Sequence, residues 1–175
     1  MLNQSVTEAL ERTSDLTDLL ERVNFRIISA FPEDMFITMF CAFIYEDRII
    51  YVNAGHPPPL LYLKGEESPK MLQSSHILPI GIVSDLRIEA TTVPLRPGEI
   101  FLAITDGVTE SSAFRDRPLE KLAEVLSQNV AVEAQELVNI IYKKAVPDDT
   151  KSPLDDIIVV CIKRQPDHIR PLSSQ

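Results

Sequence analysis

The stretch LRPGEIFLAITDGVTES (residues 95–111) decides how the rest of the chain is read. It leaves a Pro-Gly turn, runs through an apolar strand from Ile100 to Ile104, and ends in Thr105-Asp106-Gly107. A carboxylate at a strand end, with a glycine after it to leave room, is well placed to hold a cation. Asp-Gly is also among the commonest turn dipeptides, so taken alone the motif supports either reading.

Towards the C-terminus the pattern recurs in LDDIIVV (154–160), where Asp155 and Asp156 stand directly before IIVVCI (157–162). That run is continuous and apolar, as expected of a central strand buried on both faces. Adjacent carboxylates at its mouth repel one another unless a cation or hydrogen bonds compensate. The alternative is that both point into solvent as the end of the acidic loop PDDTKSPLDD (147–156). Considered together, two Asp-bearing strand ends can converge on one oxygen-rich site, the ligand set preferred by Mg²⁺ or Mn²⁺. No His-x-x-x-His or Cys-x-x-Cys supports zinc, no glycine-rich phosphate loop occurs, and no base stands out for a Ser or Cys nucleophile.

Between these motifs lie two amphipathic segments, Arg117 to Gln128 with Leu119, Leu122, Val125 and Leu126, and Val132 to Ala145 with Leu137, Val138 and Ile141. Upstream, MFITMFCAFIY (35–45) and RIIYVNA (48–54) flank the polar pair Glu46-Asp47, which predicts a hairpin. Further strands are expected at 58–64, 86–94 and 99–104, with ESPK and RPGE as turns, giving a mostly antiparallel meander. At the start, Ala9, Leu10, Leu16, Leu19, Leu20, Val23 and Ile27 recur at helical spacing. Ser5 and Glu8 fit a capping box, and Ser14-Asp15 offers a second N-cap, so two helices or one bent helix precede Pro32. Within YVNAGHPPPLL (51–61), Gly55 permits a tight corner and Pro57 to Pro59 stiffen its exit.

With 175 residues, 45% of them hydrophobic, the chain has material for one domain with a real core. That domain is expected over 1–164, followed by a loose tail at 165–175. A net charge of −9 without a Lys/Arg block argues against a nucleic-acid partner. No apolar run reaches the ~18 to 20 residues of a membrane span, and MLNQSVTEALE lacks the features of a signal peptide, so a soluble, cytoplasmic protein with no membrane partner is expected. Cys41 and Cys161 sit in apolar strand-like runs and read as small hydrophobes.

The order MFITMFCAFI, YVNAGHPPPLL, LPIGI, LRPGEIFLAITDGVTES, DDIIVV resembles the SpoIIE/RsbU branch of the PPM-type, metal-dependent serine/threonine protein phosphatases. The likeness runs from about Asp15 to Lys163. It implies an α+β fold, an α-β-β-α sandwich of two antiparallel sheets flanked by helices. It also implies Mn²⁺ or Mg²⁺ held by aspartates, with a metal-activated water attacking a phosphoserine or phosphothreonine. Carried over by position, Asp106 and Asp155 are ligands of one ion, Asp156 is the neighbouring candidate, and Gly107 gives the supporting turn. Glu110 completes the TDGxTE pattern. Gly55 and His56 are a structural signature, since the resemblance leaves no ligand position for that histidine.

The implied partner is a phosphorylated regulatory protein of the anti-sigma-factor antagonist type, with a homodimer through the N-terminal helices as a further expectation. The family's earlier motifs, Gly-Asp-x-x-Asp and Asp-x-x-Gly-x-Gly, do not occur in this sequence, so the likeness covers the later two-thirds of the domain. The alternative to a phosphatase is a catalytically incomplete pseudophosphatase or truncated fragment that serves as a protein-binding or dimerisation module.

Overall fold

The computed structural model describes residues 7, 13–30, 32, 35–72, 78–146 and 155–165. In chain order its elements are α1 (Leu16–Ala30), β1 (Met39–Ile44), β2 (Arg48–Ala54), β3 (Leu60–Tyr62), β4 (Lys70–Met71), β5 (Thr91–Pro94), β6 (Ile100–Ile104), α2 (Asp106–Thr109), α3 (Pro118–Gln128), α4 (Ala134–Ala145) and β7 (Val159–Lys163). They fall into two compact units, one of Met1–Pro58 with Leu72–Pro94, the other of Pro59–Met71 with Leu95–Gln175.

In the first unit Asp15 immediately precedes α1, and its Oδ1 accepts the N–H groups of Thr17 (2.8 Å) and Asp18 (3.0 Å). This satisfies amide donors that a helix start leaves without intrahelical partners. The helix lays Leu16, Leu19, Leu20, Val23 and Ile27 on a sheet of order β1-β2-β5, in which both ladders are antiparallel. Because strand side chains alternate, Met39, Cys41 and Phe43 of β1 and Ile50, Val52 and Ala54 of β2 share the face that meets α1. Ile49 and Tyr51 are buried on the opposite face, with Tyr51 stacked on Phe40 at 5.6 Å between ring centroids.

In the second unit the sheet order is β4-β3-β6-β7, again wholly antiparallel. All five residues of β6 are buried. Ile100, Leu102 and Ile104 pack with Leu122, Val125 and Leu126 of α3 and Leu137 and Ile141 of α4. At about 1.5–3 kcal/mol for each buried aliphatic side chain, this cluster anchors the strand that leads to Asp106. At the other end of the same strand pair, Gly98 N–H donates to Arg164 O (2.8 Å) and Arg164 N–H donates to Glu99 O (3.1 Å).

Several expectations change. The hairpin of β1 and β2 is present in register, but the meander is not: β5 pairs with β2, β6 with β3, so the chain passes between two sheets. The RPGE turn exists, with Gly98 at φ +88°, yet it joins strands of different sheets. Residues 86–90 form no strand, and Leu86 and Ile88 join the core under α1 instead. The apolar run at 157–162 is not central either. Among the described residues β7 lies at a sheet edge, with Ile158 and Val160 55% and 45% exposed, and the central strand is β6. Hydrophobicity alone could not rank the two strands, because an edge strand with one face on helices is also largely apolar. The capping box at Ser5 and Glu8, the first helical turns, most of the 147–156 loop and the tail from 166 lie outside the described residues.

Candidate metal centre

Strand β6 ends at Ile104, and the chain turns at once into the short helix α2, whose N-cap Thr105 is extended (φ −84°, ψ 165°). Asp106 therefore stands at the first helical position, its Oδ1 accepting the Gly107 N–H at 3.1 Å and its carboxylate open to solvent. The lead-in to β7 meets this turn directly. Thr105 Oγ1 donates to Asp156 O (2.8 Å) and accepts from Ile158 N–H (2.9 Å), while Thr105 N–H donates to Ile158 O (3.1 Å).

Gly107 fits against the same segment. A Cβ on it would stand 2.5 Å from Asp156 O, 3.0 Å from Asp156 C and 3.2 Å from Asp155 O. Such an approach excludes every side chain and explains the glycine by packing, without any unusual φ. The structure thus brings Asp106, Gly107, Asp155 and Asp156 to one place. Asp155 and Asp156 are both exposed, and Asp155 Oδ1 accepts the Asp156 N–H at 2.7 Å. Among the described residues no Lys or Arg forms an ion pair with these three carboxylates.

Uncompensated carboxylate oxygens at two adjoining strand ends suit a hard divalent cation chemically. They are only part of a ligand shell, since among the described residues no three Asp, Glu, His or Cys side chains are grouped closely enough to hold an ion. Glu110 is tied to the turn through its backbone, donating to Asp106 O at 2.8 Å, and its side chain faces solvent.

Gly55 and His56 belong to the other unit. Gly55 adopts φ +74°, and a Cβ there would meet Pro79 Cγ at 2.7 Å. The corner is held by a residue the sequence reading passed over. Buried Asn53 accepts the His56 N–H on Oδ1 (2.8 Å) and donates Nδ2 to His56 O (2.9 Å). Among the described residues, buried His56 Nδ1 has no hydrogen-bond partner. The two cysteines are free, and burial pushes both thiols up, Cys161 to about 11, which suits hydrophobic rather than nucleophilic duty.

Comparison with known proteins bears on this geometry. The family model for Stage II sporulation protein E (SpoIIE) matches residues 1–165. The chain belongs to the SpoIIE family. It is similar to Protein IcfG of Synechocystis sp., with 27% identity over 137 residues, 74% of this chain and 21% of the relative. It is also similar to the phosphoserine phosphatase RsbP of Bacillus subtilis, with 25% identity over 138 residues, 71% of this chain and 33% of the relative.

The chain thus spans a fifth to a third of the curated relatives it matches. Its fold is similar to the PP2C phosphatase domain of SpoIIE from Bacillus subtilis, at a TM-score of 0.74 and 16% identity over 91% of this chain and 47% of that one. A manganese-presoaked structure of the SpoIIE phosphatase domain aligns with a TM-score of 0.64 and 16% identity, covering 94% of this chain and 73% of that one. The α+β fold with two antiparallel sheets is accordingly that of the PPM-type, or PP2C, phosphatases, a hydrolase class whose members use divalent metals. No helix among the described residues is long and apolar enough to cross a membrane.

Proposed function

We propose that residues 1–164 form the later part of a metal-dependent serine/threonine protein phosphatase domain, in which Asp106 and Asp155 hold a Mn²⁺ or Mg²⁺ ion and Asp156 borders it. The observation that carries this reading is the seating of Gly107 on the Asp155–Asp156 backbone, which joins the two aspartate motifs at one point. When bound, the ion supplies Lewis-acid polarisation of a phosphoryl group and of an attacking water.

The chain's own residues do the positioning. Thr105 fixes the distance between the two strand ends, the helical cluster around β6 keeps Asp106 from retreating, and Gly107 leaves room for close approach. The substrate is a phosphoserine on a regulatory protein of the anti-sigma-factor antagonist type, in the cytoplasm. Support for that substrate class comes from the likeness to a phosphoserine phosphatase.

The test is release of phosphate from such a phosphoserine protein by the protein that carries this chain, with and without Mn²⁺. Turnover should require the metal and fall at least about 100-fold in Asp106→Asn. Metal-independent turnover, or an unchanged rate in Asp106→Asn, would overturn the assignment.

A further inference from the structure

In a chain of net charge −9, the loop that leaves the candidate metal centre and enters α3 carries three cations, Arg115, Arg117 and Lys121. Two of them are neutralised locally. Arg117 Nε lies 3.5 Å from Glu120 Oε2, and Lys121 Nζ lies 3.7 Å from Asp116 Oδ2 and donates to Ala113 O at 2.8 Å. Arg115 is exposed, and among the described residues its guanidinium forms no ion pair, although Asp116 follows it directly. Its backbone is nevertheless fixed. Phe114, 1% exposed, packs into the cluster around β6, and the N–H groups of Phe114 and Arg115 both donate to Ser111 O at 3.0 Å. Ser111 is held in turn, its Oγ donating to Val108 O at 2.8 Å.

The same bonds set an upper limit on the distance from Asp106. Glu110 N–H donates to Asp106 O and Arg115 N–H to Ser111 O, two one-turn links of about 6 Å joined by one peptide step of about 3.8 Å, so the Cα atoms of Asp106 and Arg115 lie within about 16 Å of each other. An extended substrate chain advances ~3.3 Å per residue, so Arg115 reaches side chains no more than about five residues from a phosphoserine bound at Asp106. Asp106, Glu110, Asp155 and Asp156 are all exposed, and their carboxylates outnumber the two charges of one divalent ion. The unspent guanidinium is thus the counter-charge this rim offers to an acidic side chain. We infer that Arg115 is a specificity-determining residue, pairing with a Glu or Asp side chain that flanks the phosphoserine of the protein substrate; this rests on the phosphatase reading above. A guanidinium donates two parallel hydrogen bonds to a carboxylate, so the contact separates Glu from its uncharged isostere Gln.

The test is kcat/KM of the protein that carries this chain, with Mn²⁺, on phosphoserine peptides that differ only in having Glu, Gln or Lys at the places about two to five residues from the phosphoserine, on each side in turn. p-Nitrophenyl phosphate, which has no flanking residues, is the reference substrate. The parent should favour Glu over Gln at least about threefold on one side and disfavour Lys there. The Glu-to-Gln ratio should fall to about one in Arg115→Gln, invert in Arg115→Glu, and keep the parent's value in Lys143→Gln, exposed on α4. Partial unfolding of a variant lowers both rates alike and leaves the ratio intact, and the parent's own ranking needs no variant. Release from p-nitrophenyl phosphate with no preference for Glu, or a preference that both Arg115 variants retain, would overturn this inference alone. No release from any of the substrates would overturn the phosphatase reading and this inference with it.

Discussion

Replacing Gly107 by alanine tests how closely the two aspartate motifs are coupled. The added Cβ would stand 2.5 Å from Asp156 O, where ordinary contact begins near 3.4 Å, so the lead-in to β7 must withdraw by about 0.9 Å. Withdrawal on that scale carries the Thr105 Oγ1 contacts to Asp156 O and Ile158 N, now 2.8 and 2.9 Å, beyond hydrogen-bonding range. Two bonds at roughly 0.5–1.5 kcal/mol each and an overpacking cost of roughly 1–3 kcal/mol give a loss of about 2–6 kcal/mol.

Urea unfolding followed by circular dichroism reads this directly. A useful control is Gly65→Ala, where φ is +92° but nothing lies within 4 Å of a Cβ, so only the backbone conformation is penalised, at about 1 kcal/mol. Thr105→Val should cost about 1–3 kcal/mol by itself, and the double variant less than the sum, because both changes break the same two bonds. A Gly107→Ala protein within about 0.5 kcal/mol of the parent would refute the packing argument.

Other outcomes follow from the same structure. Asn53→Ala removes both hydrogen bonds to the His56 backbone and should destabilise by about 1–3 kcal/mol, whereas His56→Ala should cost less and leave metal binding unchanged; paired thermal melts and Mn²⁺ titrations check this. Lys163 donates Nζ to Val130 O and Val132 O at 2.6 and 2.7 Å, tying the α3–α4 connection to β7, so Lys163→Met should lower the urea midpoint and speed amide exchange at 130–133. Burial raises the Cys161 thiol from 9.0 to about 11. The folded state therefore keeps its proton where the unfolded chain has lost it. The resulting stability is fully present below about pH 9 and is lost as pH rises through 11, and Cys161→Ala should flatten that part of a stability–pH curve.

The β1–β2 hairpin was legible because Glu46-Asp47 interrupts two runs of β-formers, and the helices α3 and α4 because their apolar residues recur at helical spacing. The two aspartate motifs were legible as separate strand ends. That they could converge was legible from their chemistry, but the contact that joins them was not, since the Gly107 approach to Asp155 and Asp156 spans about fifty residues and leaves no local trace. The same holds for Asn24 and Asn53. A carboxamide that clamps backbone looks like any polar residue until its partner is in place, and Gly81 and Val83 lie 57 and 59 positions from Asn24. The rank of β6 over β7 was hidden for a related reason: strand order depends on pairing across the sheet, to which local hydrophobicity is blind.

The central claim is that Asp106 and Asp155 jointly hold one divalent ion. The direct measurement is a Mn²⁺ titration of the protein that carries this chain, followed by the electron paramagnetic resonance signal of the free aquo ion. Binding should suppress that signal in the parent and in an Asp85→Asn control, and the dissociation constant should rise at least about tenfold in Asp106→Asn and, equally, in Asp155→Asn. A titration in which either aspartate variant binds Mn²⁺ as tightly as the parent contradicts the claim.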